Sequence, residues 1–186
     1  MEADWEVEIG GDAPVIDATW VGFVDLRRSP QLAFQLPEAA NLSGLADALV
    51  RLNAAGSPVW TSKCDVWPVS DTEQLDPDEM GASDECLTHA WACYVDLLPR
   101  SDQQWFVLEM AVSWCRTLVE RLHTVPLPCC RVDIVIRNAV TAAENLNVGV
   151  TAYFTGCGSS GEAAQVSLQS TLVKFADVLY GDSTVE

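Results

Sequence analysis

Residues 19–27, Thr19-Trp20-Val21-Gly22-Phe23-Val24-Asp25-Leu26-Arg27, return as residues 90–98, Ala90-Trp91-Ala92-Cys93-Tyr94-Val95-Asp96-Leu97-Leu98. Trp20 aligns with Trp91, Phe23 with Tyr94, and Val24-Asp25-Leu26 with Val95-Asp96-Leu97, at an offset of 71. Both copies are rich in the aromatic and β-branched residues that suit a pleated surface, so both read as strands. The repetition predicts an internally duplicated chain.

Working outward, Lys63-Cys64-Asp65-Val66-Trp67 is similar to Arg131-Val132-Asp133-Ile134-Val135, now at an offset of 68. Leu42, Leu45, Leu49 and Leu52 share one face of an expected helix over residues 42–55, with Asn41 or Ser43 as its N-cap and Gly56 at its exit. A second helix is expected to start at Ser101 or Asp102 and to reach His123 before Pro126 and Pro128 stop it. Each half is then strand, helix, strand. Two such units in series give the ferredoxin-like order β-α-β-β-α-β over residues 16–137. A strand over 148–155 and a helix over 162–180 form a third strand–helix unit. Residues 2–9 alternate Glu2, Asp4, Glu6 and Glu8 with Ala3, Trp5, Val7 and Ile9, which describes a strand with one wet face. The expected fold is a single α+β domain over residues 1–186. It has a mainly antiparallel six-stranded sheet, three helices on one face, and duplicated β-α-β units.

Charge sets the expectations for function. The chain carries a net charge of −17, with 19 acids and 5 bases in residues 1–102 against 8 and 5 in the remainder. Such a chain repels nucleic acid and anionic membranes and favours a basic protein partner. Residues 71–85 hold seven acids and no base: Asp71, Glu73, Asp76, Asp78, Glu79, Asp84 and Glu85. They read as a mobile loop and are the expected partner-binding segment, with the acidic strand at 2–9 as the second candidate. The segment lacks the D-x-[DN]-x-[DN]-G calcium-loop pattern, and no metal site or cofactor is expected. The start of the sequence has no basic region followed by an apolar one, and no apolar run reaches the ~20 residues of a membrane span; the expectation is a cytoplasmic protein.

Chemistry is harder to find. Gly156-Cys157-Gly158-Ser159-Ser160-Gly161 satisfies G-x-G-x-x-G between a strand and a helix, but no strand follows that helix, so it reads as a plain turn and not as a dinucleotide site. Seven cysteines without a C-x-x-C pair read as reduced, mostly buried thiols. His89 and His123 form no evident catalytic pair. The duplication suggests one ligand-binding constellation, Asp25 and Arg28 with Asp96 and Arg100, in a pocket between the repeats. Seven tryptophans exceed what one small core can hold, so at least one is expected at a groove or an interface, a homodimer contact included. The sequence assigns no catalytic set. The leading expectation is a non-catalytic acidic interaction protein of inhibitor, immunity or regulatory type. The alternative is a small-molecule binding protein or enzyme using the pocket between repeats.

Overall fold

Phe154 and Phe175 meet edge to face, with ring centroids 4.9 Å apart, in the layer where helices cover the sheet. The computed structural model describes residues 1–10, 13–17, 21–100, 107–141 and 148–181. Its strands are β1 (Glu2–Glu8), β2 (Val15–Asp17), β3 (Val59–Pro68), β4 (His89–Pro99), β5 (Cys130–Thr141) and β6 (Val148–Gly158). The helices are α1 (Pro37–Asn41), α2 (Ser43–Asn53), α3 (Leu108–His123) and α4 (Gly161–Tyr180). The class is α+β, with six strands in the order β1-β5-β6-β4-β3 and β2 joined to the far end of β5.

The period of two decides the layers. Cys93, Val95 and Leu97 on β4, Val132, Ile134 and Ile136 on β5, and Val150, Ala152 and Phe154 on β6 all turn to one face. There they form one core with Leu45, Leu49 and Leu52 of α2, Ala111, Cys115 and Leu118 of α3, and Leu168, Leu172 and Phe175 of α4. The helical spacing of Ala164, Leu168, Leu172 and Leu179, all within 1% of full burial, lays α4 along the sheet. That core runs from Met1 to Leu179.

The glycines that mimic a nucleotide loop serve this packing. The strand runs on through them to Gly158, where a turn is expected from the sequence. A Cβ at Gly156 would lie 2.3 Å from the backbone N of Leu168, and one at Gly158 2.6 Å from that of Ala164. Only hydrogen at these two positions lets α4 approach β6 so closely. Ser160 caps α4, accepting a hydrogen bond from the Ala163 amide at 3.1 Å.

Three features differ from expectation. First, the sheet is mixed: β3–β4, β4–β6 and β5–β6 are antiparallel, while β1 and β2 both run parallel to β5. Pleat alternation is the same in either direction, and no short hairpin ties β1 to β5, so its direction was not written locally. Second, the ferredoxin-like duplication is not seen. β4 and β5 both run antiparallel to β6, hence parallel to each other, whereas β2 and β3 run in opposite senses. Val21 to Leu26 lie in turns and irregular chain, whereas the matching Ala92 to Leu97 lie in β4. Trp20 is outside the described residues, as are the expected caps Ser101 and Asp102. Third, the N-cap of α2 is Leu42, without a side-chain bond, and Asn41 instead ends α1.

Replacing Gly156 with alanine should lower unfolding free energy by roughly 1–3 kcal/mol, the usual cost of overpacking. Gly161, which has open space around it, should accept alanine within about 0.5 kcal/mol. Urea unfolding of the two variants checks this contrast; equal effects would remove the close-packing role of Gly156.

Candidate functional site: the uncovered sheet face

The second face of the sheet carries polar and aromatic side chains where the first carries aliphatic ones. Trp67 packs on Tyr94 and Tyr94 on Tyr153, at ring-centroid distances of 6.2 and 6.0 Å. Tyr94 lies opposite Tyr153 on one side and Asp65 on the other. Burial, with the charges of Asp96 and Asp65, pushes its phenol up to about 12. It therefore stays neutral and able to donate at physiological pH. Trp67 is 36% exposed, a large aromatic on the surface.

Along the β1 edge this face is acidic. Glu2, Asp4, Glu6 and Glu8 are all exposed, and the parallel register sets them beside Arg131, Asp133, Val135 and Arg137. Arg131 pairs with Asp133 at 2.7 Å and Glu79 at 2.9 Å, and Arg137 pairs with Glu8 at 2.7 Å. Glu2, Asp4 and Glu6 make no ion pair among the described residues. Asp4 is the register partner of Asp133, which places two carboxylates of like charge on neighbouring strands. Burial, and secondarily the charges of Asp4 and Glu79, push the Asp133 carboxyl up, against the pull of Arg131. Asp4, Glu6, Arg131 and Asp133 border a recess of about 180 Å³.

The opposite end of the face is covered. Residues 13–17 cross it, with Val15 fully buried against Trp60 and Leu98. Gly149 makes room, because a Cβ there would lie 2.6 Å from that of Val15. Ser62 Oγ donates to the Ile16 carbonyl. Arg27 pairs with Asp17 at 3.1 Å and stacks over the Trp60 ring at 4.2 Å. Partly beneath this cover lies a half-open cavity of about 360 Å³, lined by Ala13, Pro14, Ile16, Lys63, Tyr94, Asp96, Arg137, Thr151 and Tyr153. Asp96 is 6% exposed and accepts a hydrogen bond from Thr151 Oγ1 at 2.7 Å. Burial pushes its carboxyl up, while Thr151, Lys63 and Arg137 pull it back.

The four residues of the expected ligand constellation do not form one set. Asp25 accepts from Arg27 Nε at 2.8 Å and lies 3.7 Å from Arg28, whose side chain is 88% exposed. The bond from Arg27 holds the Asp25 carboxyl below the usual range. Arg100 donates to the carbonyls of Asn53 at 2.8 Å and Val59 at 3.4 Å, tying the end of α2 to the start of β3. Of the four, Asp96 alone lines the covered cavity. A neighbouring cleft of about 610 Å³, bordered by Phe23, Val24, Leu26 and Glu38, shares Lys63 and Tyr94 with it.

In the acidic segment, Asp71, Glu73, Asp76, Asp78, Glu79, Asp84 and Glu85 are all exposed. Asp71 accepts from the Glu73 amide and Asp76 from the Asp78 amide. The expected loop is pinned at its middle: Met80 is 2% exposed, packs with Ala90 and Cys157, and its carbonyl accepts from the Cys130 amide. Two 3-10 turns, Thr72–Gln74 and Asp84–Cys86, flank that anchor.

All seven cysteines are free thiols. Burial pushes Cys64, Cys115 and Cys157 up to about 12, which removes the thiolate needed of a nucleophile. His123 bonds the Ala3 carbonyl at 2.8 Å and so holds β1. Among the described residues no group of three or more His, Cys, Asp or Glu is placed to hold a metal, and no helix is long and apolar enough to cross a membrane. No protein-family model, curated protein or solved structure matches this chain.

Sequence reasoning did not single out Lys63, Arg137, Thr151 or Tyr153. The alternation in Arg131-Val132-Asp133-Ile134-Val135-Ile136-Arg137 held the signal, since it places its polar residues together on the face that the helices leave open.

The direction of the Asp96 shift yields a test. A carboxyl whose folded value lies above the ordinary 3.8 stabilises the fold fully below that value, and the contribution is lost as pH rises through the folded value. Asp96→Asn keeps an acceptor for Thr151 and removes the buried charge. The variant should be more stable than the parent at about pH 7, with the gap closing toward about pH 4. Urea unfolding across that range checks the sign; a gap that widens on acidification contradicts the assignment.

Proposed function

We propose that this chain is a non-catalytic acidic interaction protein, of inhibitor, immunity or regulatory type, that binds a basic protein through the uncovered sheet face. The observation that carries this reading is the juxtaposition of Asp4 with Asp133, with Glu2 and Glu6 alongside and unpaired among the described residues. A lysine or arginine seated between those carboxylates relieves their repulsion and the raised proton affinity of Asp133 together. The Trp67–Tyr94–Tyr153 ladder supplies rigid amphipathic contact beside them, the kind of residue that anchors interfaces. The acid row at β1 takes precedence over the 71–85 segment as docking element because Asp133, the register partner of Asp4 on β5, lies directly opposite Tyr153 of the aromatic surface. Glu79, through Arg131, links the two.

Net charge and the acid-rich first half add long-range attraction to this contact. The mechanism is steering followed by docking: charge sets the encounter rate, and aromatic burial sets the lifetime of the complex.

Peptides of equal hydropathy and graded net charge, titrated onto the full chain, test this. Basic peptides should bind, and their association rate should fall about tenfold or more between about 50 and about 500 mM salt. A chain carrying both Asp4→Lys and Glu6→Lys should lose much of that acceleration and bind more weakly while keeping its fold by circular dichroism. Binding independent of peptide charge, or unchanged in the double variant, would falsify the reading.

A further inference from the structure

We propose that the covered cavity binds a small carboxylic acid bearing an amino or hydroxyl group, through polar groups distinct from the carboxylates of the basic-partner surface, with which it shares the Tyr94 and Tyr153 rings. The strands bring the required chemistry together through one irregularity. The β3–β4 register shifts between Thr61 and Cys64, so Ser62 and Lys63 both fall opposite Asp96. A β-bulge of this kind re-aims side chains. Here one of the two, Ser62, fastens the Ile16 carbonyl and hence the cover, while Lys63 lines the cavity beneath it. Asp96 stands on β4 between Lys63 on β3 and Thr151 on β6, and Arg137 comes from β5 beyond.

Two cationic side chains, Lys63 and Arg137, line the cavity. Lys63 is half-buried and makes no ion pair among the described residues. Arg137 spends its terminal nitrogens on Glu8 at 2.7 Å and the Ala13 carbonyl at 3.4 Å, yet its Nε is buried with no hydrogen-bond partner. A desolvated guanidinium N–H without an acceptor is unfavourable; Arg137 lines the cavity, and an entering carboxylate gives its guanidinium an acceptor once the side chain turns toward it. Lys63 supplies a countercharge beside it. Asp96, 6% exposed, sets the other requirement: it repels a second negative charge and accepts from an ammonium or hydroxyl. The neutral phenol of Tyr94 and the ring of Tyr153, over which Arg137 lies at 5.7 Å, close the sides. At about 360 Å³ the space is of small-molecule size. A dianionic phosphate fits this set poorly, because Asp96 faces it; a monoanion carrying a donor fits all four polar groups.

Calorimetric titration of the full chain with two matched series tests the proposal. One series is L-phenylalanine, phenyl-lactate, 3-phenylpropionate and phenethylamine; the other is L-alanine, lactate, propionate and ethylamine. Within each, only the head group changes. The amino or hydroxy acid of at least one series should bind saturably, about tenfold or more tighter than its plain acid, and the amine should not bind. Lys63→Gln should weaken that binding about tenfold or more, and Asp96→Asn should remove the preference over the plain acid while leaving the acid bound. Neither variant should alter the salt-dependent association of basic peptides, so loss of that surface and loss of this cavity are read separately. Absence of binding throughout both series, preference for the amine, or full affinity in Lys63→Gln would overturn the proposal.

Discussion

The contact on which the rest depends is that of α4 with the backbone of β6 at Gly156 and Gly158. With no side chain between them, helix and strand approach closely enough for Phe154 and Phe175 to interlock. This fixes one face of the sheet as the core face. Because every strand alternates with a period of two, the choice propagates: Val132, Ile134 and Ile136 go inward with it, and Arg131, Asp133 and Arg137 go outward. The α4 layer is secured at its far end by Arg51, which pairs with Asp177 at 2.5 Å and whose carbonyl accepts from the Tyr180 hydroxyl. The chemistry of the outer face is thus a consequence of how the inner face is packed.

That outer face is divided in two by residues 13–17. Where Val15 settles over Gly149, the face becomes a cavity with a buried carboxylate and two cations. Where no described residue covers it, the face presents aromatics bordered by acids. The open part of the face sets Asp4 in register with Asp133, so two carboxylates of like charge stand on neighbouring strands, with Arg131 pairing the second of them. At the covered end the polar groups Asp96 and Thr151 are buried and satisfy each other.

Much of the fold was legible because it is periodic. Acids at 2, 4, 6 and 8 announced the wet face of a strand, but of the alternate residues expected to be buried Ala3 is buried and Trp5 half-buried while Val7 and Ile9 are exposed; Leu45, Leu49 and Leu52 announced the buried stripe of α2. What misled was a short similarity read as topology. Val-Asp-Leu occurs twice, but Asp25 is taken up locally by Arg27 in a turn, whereas Asp96 is held across strands by Thr151. Strand direction has no signature in alternation, so the parallel placement of β1 was not accessible. The function of the glycines was hidden for a related reason: their partners, Ala164 and Leu168, lie on the next element, and close approach is a tertiary fact. The bulge at Ser62 and Lys63 contains no glycine or proline to announce it, so the cation facing Asp96 was invisible in the sequence. The acidic segment was legible as charge and turns, but the anchoring role of Met80 depends on a pocket formed by Ala90 and Cys157.

The central claim is that the open sheet face, not the acidic segment, is the working surface. Amide chemical-shift mapping of the full chain during titration with a basic, aromatic-containing peptide tests it most directly. Perturbations should concentrate on β1, on β5 around Asp133, and on the strands bearing Tyr94, Tyr153 and Trp67, and should saturate together. Perturbations confined to residues 71–85, or spread over α2, α3 and α4, would contradict it.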